Sequence, residues 1–98
     1  MKMKTSELTG AALDWAVGVA HRDGFAPVAY STKWEFGGRI IESENIAMWP
    51  DEEGGFFACT HEGAGLKDFH GDTFLIAAMR CYVASKLGAE VELPKEMP

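Results

Sequence analysis

The sequence predicts a single α+β domain in which a small antiparallel sheet of about four strands packs against two helices. Three observations lead to this prediction. A length of 98 residues is that of one domain. A long helical pattern lies near each end of the chain, over Leu8–His21 and Phe74–Leu87. Between them, short apolar runs alternate with segments that are rich in turn-forming residues.

The first helix is predicted over Leu8–His21, with Thr9 as its N-cap and Asp23-Gly24 as its stop. The second is predicted over Phe74–Leu87, entered through Gly71-Asp72-Thr73 and ended by Gly88. Apolar residues cover most of the circumference of both helices. One thin sheet cannot cover that much apolar surface, so the sequence predicts a homodimer.

Four short runs between the helices have strand character, and tight links between them require antiparallel pairing. The last two flank a turn-rich segment, Pro50–Gly55, and are predicted to form a hairpin. Further edge strands are predicted at Met1–Lys4 and Val91–Leu93, so that residues 1–93 form the domain and 94–98 a tail. The four predicted strands are Pro27–Ser31, Arg39–Glu42, Ile46–Trp49 and Phe56–Thr60.

Charge and composition exclude several classes of protein. The net charge is −6 and the chain has no basic cluster, which argues against direct nucleic-acid binding. No apolar stretch approaches the roughly 18 residues that a membrane span needs. Cys59 and Cys81 lie in unrelated contexts and are expected to be reduced thiols, which favours a cytosolic protein. From residue 40 to residue 66 there is no Lys or Arg, whereas Asp and Glu occur six times. This acidic stretch is either a solvated loop or a surface for a basic partner. Its acidic residues are Glu42, Glu44, Asp51, Glu52, Glu53 and Glu62.

Catalytic and metal-binding patterns are weak. His61, Glu62, His70 and Asp72 lie close in sequence, but their spacing matches no helical or finger-type metal site. Cys59 and His61 would share a strand face if the strand continued, yet no nucleophile elbow or glycine-framed oxyanion motif accompanies them. The sequence therefore predicts neither a catalytic site nor a metal or cofactor, with an enzyme that uses Cys59 and His61 as the alternative.

Ligand-binding patterns are more frequent. Gly37-Gly38-Arg39 is the single diglycine followed directly by a basic residue, a pattern that can wrap an anion or form a plain turn. The start of the second helix near Thr73 is another candidate anion site. Tyr30 and Trp34 lie in a loop-like segment, where their rings are either stacking platforms for a flat ligand or core residues. Arg80 stands among small helix residues and is either a ligand contact or half of an ion pair.

Three segments resemble the short bacteriophage proteins called NinX, a family of unknown function. The first is Lys4 to Val17 (KTSELTGAALDWAV), and the last is Thr73 to Gly88 (TFLIAAMRCYVASKLG). The middle segment carries Tyr30-Ser31, Trp34, Gly37-Gly38 and Ile40-Ile41-Glu42. In the last segment, Phe74 departs from the proline that the family has after Thr73.

The resemblance implies a phage or prophage accessory protein, made in the host cytoplasm and dispensable for building the particle. Residues that match the family outside the helix core mix aromatic, glycine and single polar residues, as at the rim of a binding pocket. We therefore expect a non-catalytic binder that sequesters a host nucleotide-type immune signal. The alternative is an acidic inhibitor of a host defence or nucleic-acid-processing enzyme. The expected ligand-binding residues are Tyr30, Ser31, Trp34, Gly38, Arg39, Thr73 and Arg80.

Overall fold

The computed structural model describes residues 1–21, 28–59 and 68–94, and it confirms an α+β fold. Within these residues there are three helices, five short strands and one 3₁₀ turn at Thr5–Glu7. The helices are α1 (Gly10–His21), α2 (Trp34–Ser43) and α3 (Phe74–Leu87). The strands are β1 (Lys2–Lys4), β2 (Ala47–Pro50), β3 (Phe56–Cys59), β4 (Phe69–Gly71) and β5 (Glu90–Glu92).

The described strands form two antiparallel sheets rather than one sheet of about four strands. β1 and β5 pair as a two-stranded sheet in which Lys2 faces Glu92 and Lys4 faces Glu90. The second sheet has the order β2-β3-β4, and its β2–β3 hairpin confirms the predicted pairing of the last two runs. Both predicted edge strands are present, since β1 lies within Met1–Lys4 and β5 overlaps Val91–Leu93.

Helix α3 has the bounds that the sequence predicts and lies at the centre of the packing. The Thr73 hydroxyl accepts a hydrogen bond from the Ile76 N–H at 3.1 Å, which satisfies one of the free donors at the helix start. At the other end Gly88 has a φ of 91°, a left-handed conformation that glycine adopts without strain. The three-stranded sheet, α1 and α2 all contact α3, so much of its apolar circumference is covered within this chain. Its buried residues are Leu75, Ala77, Ala78, Met79, Cys81, Tyr82 and Val83.

Helix α1 begins at Gly10, two residues later than predicted, because Leu8 is extended and Thr9 precedes the first helical residue. Leu8 is nevertheless fully buried. The predicted stop at Asp23-Gly24 lies outside the described residues. Along α1, Leu13, Ala16 and Val17 are completely buried against the core, whereas Val19 is 42% exposed.

Two predicted strands are wrong. Arg39–Glu42 lies inside α2, and the described part of Pro27–Ser31 is an irregular segment leading into a turn. The Ile40-Ile41 pair has strand propensity, but burial follows helical spacing because Gly37 and Ile40 face the core three residues apart. Gly37 allows this packing, since a Cβ at this position would lie 2.7 Å from Leu75 Cδ2 and would also clash with the Tyr30 carbonyl oxygen.

β4 lies in the segment directly before α3, where the sequence predicts no strand. Gly71 lets β4 approach α3 closely, because a Cβ there would lie 2.5 Å from the Ala77 nitrogen. In the part of the chain that the structure describes, no helix is long and apolar enough to cross a membrane.

Candidate ligand-binding groove

The Arg80 side chain is fixed by two main-chain carbonyl groups. Its Nε donates to the Leu8 oxygen at 2.7 Å, and its Nη1 donates to the His70 oxygen at 2.8 Å. The guanidinium thus connects α3 to the segment before α1 and to β4, which is an edge strand of its sheet. Partial burial lowers the pKa of Arg80 from its usual value, and the nearby Asp72 carboxylate opposes this change. The side chain remains charged at neutral pH.

An open groove of about 690 Å³ lies beside Arg80, between β4 and the two-stranded sheet. This volume is within the range of small-molecule sites in proteins. Lys4 and Arg80 supply positive charge, while Asp68 and Glu90 supply carboxylates on the same lining. Among the described residues, the lining consists of Lys4, Ser6, Asp68, Phe69, His70, Arg80, Ala89 and Glu90.

Of the predicted ligand-binding residues, Tyr30 and Ser31 lie in the interior. Tyr30 is 5% exposed and packs in the hydrophobic core, and Ser31 is 3% exposed. The Ser31 main-chain N–H donates to Asp14 Oδ1 at 2.8 Å, which anchors the segment before α2 to α1. The Ser31 hydroxyl is buried and has no hydrogen-bond partner within residues 1–21, 28–59 and 68–94. Neither residue is a stacking platform at a surface.

Trp34, Gly38 and Arg39 lie on α2 and do not line the groove beside Arg80. The Trp34 side chain is 54% exposed and lies over Gly38, where a Cβ would be 3.4 Å from ring atom Cε3. The predicted anion loop at Gly37-Gly38-Arg39 is wrong because these residues are helical. The Gly37 N–H donates to the Lys33 oxygen at 3.0 Å and is not available to a ligand.

Thr73 caps the start of α3 and Arg80 lies within the helix, seven residues further on or roughly 10 Å along a helix axis. The Thr73 hydroxyl is used in capping the helix. Arg80 is therefore the single member of the predicted set that lines the groove. Lys4, Phe69 and Glu90 are lining residues that the sequence did not indicate. Lys4 and Glu90 come together through the pairing of β1 with β5, and Phe69 lies on β4.

His70 connects β4 to the turn of the β2–β3 hairpin. Its Nε2 lies 2.8 Å from the Gly54 oxygen and 3.3 Å from Asp51 Oδ2. A carbonyl oxygen can only accept a hydrogen bond, so Nε2 carries the proton and donates it. Cys59 is partly buried and Cys81 is buried, and the two are not joined in a disulfide. The alternative of an enzyme pairs Cys59 with His61, but His61 lies outside the described residues, and so does Glu62. Among the residues described, no three His, Cys, Asp or Glu side chains are grouped to hold a metal.

A second, smaller groove of about 390 Å³ lies where α1 and α3 end. The Tyr82 hydroxyl there is 3.4 Å from His21 Nδ1, and Lys86 Nζ is 3.2 Å from Glu44 Oε1. Burial raises the pKa of Tyr82, and the negative charge of Glu44 raises it further, while Lys86 lowers it. The phenol is therefore neutral throughout the physiological pH range.

The fold and the larger groove define a small α+β domain with a charged surface cleft beside a fixed arginine. The family model described as Bacteriophage P22, NinX matches residues 21–86, which is about two thirds of the chain. The chain belongs to this family, and the resemblance inferred from its motifs is confirmed. The match includes α2, the three-stranded sheet and nearly all of α3. A comparison with the curated proteins finds no match.

Proposed function

We propose that this phage protein is a non-catalytic binder that sequesters a host nucleotide-type immune signal in the host cytoplasm, and so counters a host defence. The observation that carries the proposal is the position of Arg80, fixed by two carbonyl groups at the side of a groove of about 690 Å³. The proposed binding site is thus the Arg80 groove rather than the loop around Tyr30 and Trp34.

The chemistry of the lining suits a phosphate-bearing ligand. A guanidinium has five N–H donors, and two in Arg80 are bonded to Leu8 and His70, which leaves donors for phosphate oxygens. Because the fork is already held in place, less side-chain entropy is lost on binding. Lys4 adds a second positive charge to that of Arg80. The carboxylates of Asp68 and Glu90 can accept hydrogen bonds from ribose hydroxyls or base amino groups.

Isothermal titration against cyclic nucleotides and ADP-ribose-type nucleotides tests this function. We expect saturable binding of at least one ligand, which Lys4→Ala weakens. Lys2→Ala is the matched control, because Lys2 is exposed on the same strand but does not line the groove. Absence of binding across the panel, or equal losses in the two variants, would refute capture in this groove.

The second candidate function is an acidic inhibitor of a host defence or nucleic-acid-processing enzyme. It is favoured by the carboxylates of Glu42, Glu52 and Glu53, which are exposed on a chain of net charge −6. Docking that depends on such charges weakens steeply between low and physiological salt. A salt-sensitive complex with a candidate host enzyme, formed without any nucleotide, therefore distinguishes this function from nucleotide capture.

A further inference from the structure

Three rings form a continuous row across the three-stranded sheet. The centroids of Trp49 and Phe57 are 6.0 Å apart, and those of Phe57 and His70 are 5.1 Å apart. The three residues are direct partners on adjacent strands, since Trp49 faces Phe57 and Phe57 faces His70 in the register. We call this row the aromatic ladder.

The aromatic ladder lies on the face of the sheet that is turned away from α3. Side chains alternate along a strand, and the inward positions are known because Gly71 lies against Ala77 and Ala58 is fully buried. Met48 and Phe69 share the inner face with Ala58 and pack against the core, whereas Trp49 and Phe57 do not belong to the core cluster. Trp49 and Phe57 are partly exposed, and the His70 side chain is 43% exposed.

A carboxylate-bearing turn lies at one end of the aromatic ladder. This acidic turn, Asp51–Gly55, joins β2 and β3 one register pair beyond Trp49 and Phe57. It is held to the ladder by the contacts of His70 with Gly54 and Asp51. It is also ordered internally, because Asp51 Oδ1 accepts from the Glu53 N–H at 3.1 Å. Glu52 and Glu53 of this turn are exposed.

We propose that the aromatic ladder and the acidic turn together bind an arginine-bearing segment of a partner protein. Aromatic faces attract cations, and the guanidinium stacks on them better than the compact ammonium of lysine. The carboxylates of Glu52 and Glu53 supply the complementary charge, and the sequence places no Lys or Arg between residues 40 and 66 to oppose it. A nucleic acid is disfavoured on the same surface because its phosphates would meet these carboxylates. This inference is independent of the Arg80 groove and gives a location to the second candidate function.

Fluorescence anisotropy with a labelled peptide of alternating arginine and glycine tests the proposal on the full chain. We expect salt-sensitive binding, tighter than that of the matching lysine peptide. Phe57→Leu keeps the charge and removes a ring, and each lost ring should weaken binding about two- to fivefold, as expected for an exposed cation–π contact. Trp34→Leu is the control, because that ring is exposed on α2 outside the ladder.

The charge contribution is tested with matched pairs of substitutions. Glu52→Gln with Glu53→Gln should weaken binding of the arginine peptide more than Glu35→Gln with Glu42→Gln, which removes the same charge from α2. Equal losses in both double variants, or unchanged binding in Phe57→Leu, would show non-specific attraction and overturn the proposal. If a host enzyme forms a salt-sensitive complex that Phe57→Leu does not weaken, the inhibitor function stands, but the aromatic ladder is not the surface that binds the enzyme.

Discussion

The guanidinium of Arg80 reaches the main-chain oxygen of Leu8, 72 positions earlier in the chain, at 2.7 Å. With its second bond to the His70 oxygen, it closes one side of the groove and satisfies a carbonyl group on the free edge of β4. One side chain therefore holds together three segments that the sequence separates widely, and it does so at the proposed binding site.

Replacing Arg80 by methionine should lower the free energy of unfolding by about 1.5–3 kcal/mol, the usual value of a charge-assisted hydrogen bond, and should abolish nucleotide binding. The reason is that the carbonyl groups of Leu8 and His70 lose their shared donor. Urea unfolding measures the change. Arg39→Met is the control, since Arg39 is exposed on α2, and a similar loss in both variants would contradict the structural role of Arg80.

Two adjacent glycines of α2 should respond in opposite ways to alanine. Gly37→Ala should destabilise by about 1–3 kcal/mol, because the new methyl group meets Leu75 and the Tyr30 carbonyl in a packed site. Gly38→Ala should stabilise by about 0.5–1 kcal/mol, because its methyl group makes an ordinary contact with the Trp34 ring and alanine favours helix. Thermal unfolding of both variants checks this. A stable Gly37→Ala protein would show that α2 does not pack as described.

Thr73→Ala should cost about 1 kcal/mol of stability through loss of the α3 cap. Thr73→Ser keeps the hydroxyl that accepts from the Ile76 N–H and should unfold at nearly the same urea concentration as the natural chain. If Thr73 instead contacted the ligand, Thr73→Ala would weaken binding without this loss of stability. Measuring both quantities on the two variants separates the alternatives.

Alkaline pH should destabilise the protein through Tyr82. The pKa of this phenol is raised in the folded state, first by burial and then by Glu44, above the usual value of 10.0. Above that value the unfolded chain loses the proton while the folded chain retains it, so the stability is intact below pH 10 and declines as pH rises through the folded pKa. Urea unfolding across this range should show a steeper decline for the natural chain than for Tyr82→Phe. Parallel declines would contradict the raised pKa.

In the structure, the surface that favours the predicted homodimer is the exposed side of α2 rather than the circumference of α3. Much of the apolar circumference of α3 is covered by this chain's own sheet and helices. Trp34 at 54% and Phe36 at 40% exposure are the apolar side chains that α2 leaves uncovered. Sedimentation at micromolar concentration should give a dimer that Trp34→Glu converts to a monomer. A monomeric natural chain would refute the prediction.

Features that depend on residues close together in the sequence were predictable. The bounds of α3 follow from its cap and from Gly88, and the β2–β3 hairpin follows from the turn residues between its strands. Helix α2 was missed because Ile40-Ile41 has strand propensity and because the reason for its helical packing, the approach of Gly37 to Leu75, is a long-range contact.

The candidate site was predictable only at Arg80. A tyrosine at position 30 could either stack on a ligand or fill a core, and the sequence alone does not show which. The packing of the hydrophobic core decides that Tyr30 is buried. Lys4 and Glu90 come together through strand pairing between distant segments, a relationship with no local signal in one sequence. The aromatic ladder was equally hidden, because the sequence does not predict β4.

The pairing of β1 with β5 has a consequence for the order of events during synthesis. Lys2 and Glu92 stand opposite each other although nearly the whole chain separates them. A chain that leaves the ribosome from its amino end therefore carries β1 without a partner until the last strand has emerged. One wall of the groove closes at that late stage, so nascent chains that stop short of Glu90 should be unable to hold a ligand even when α3 has already formed.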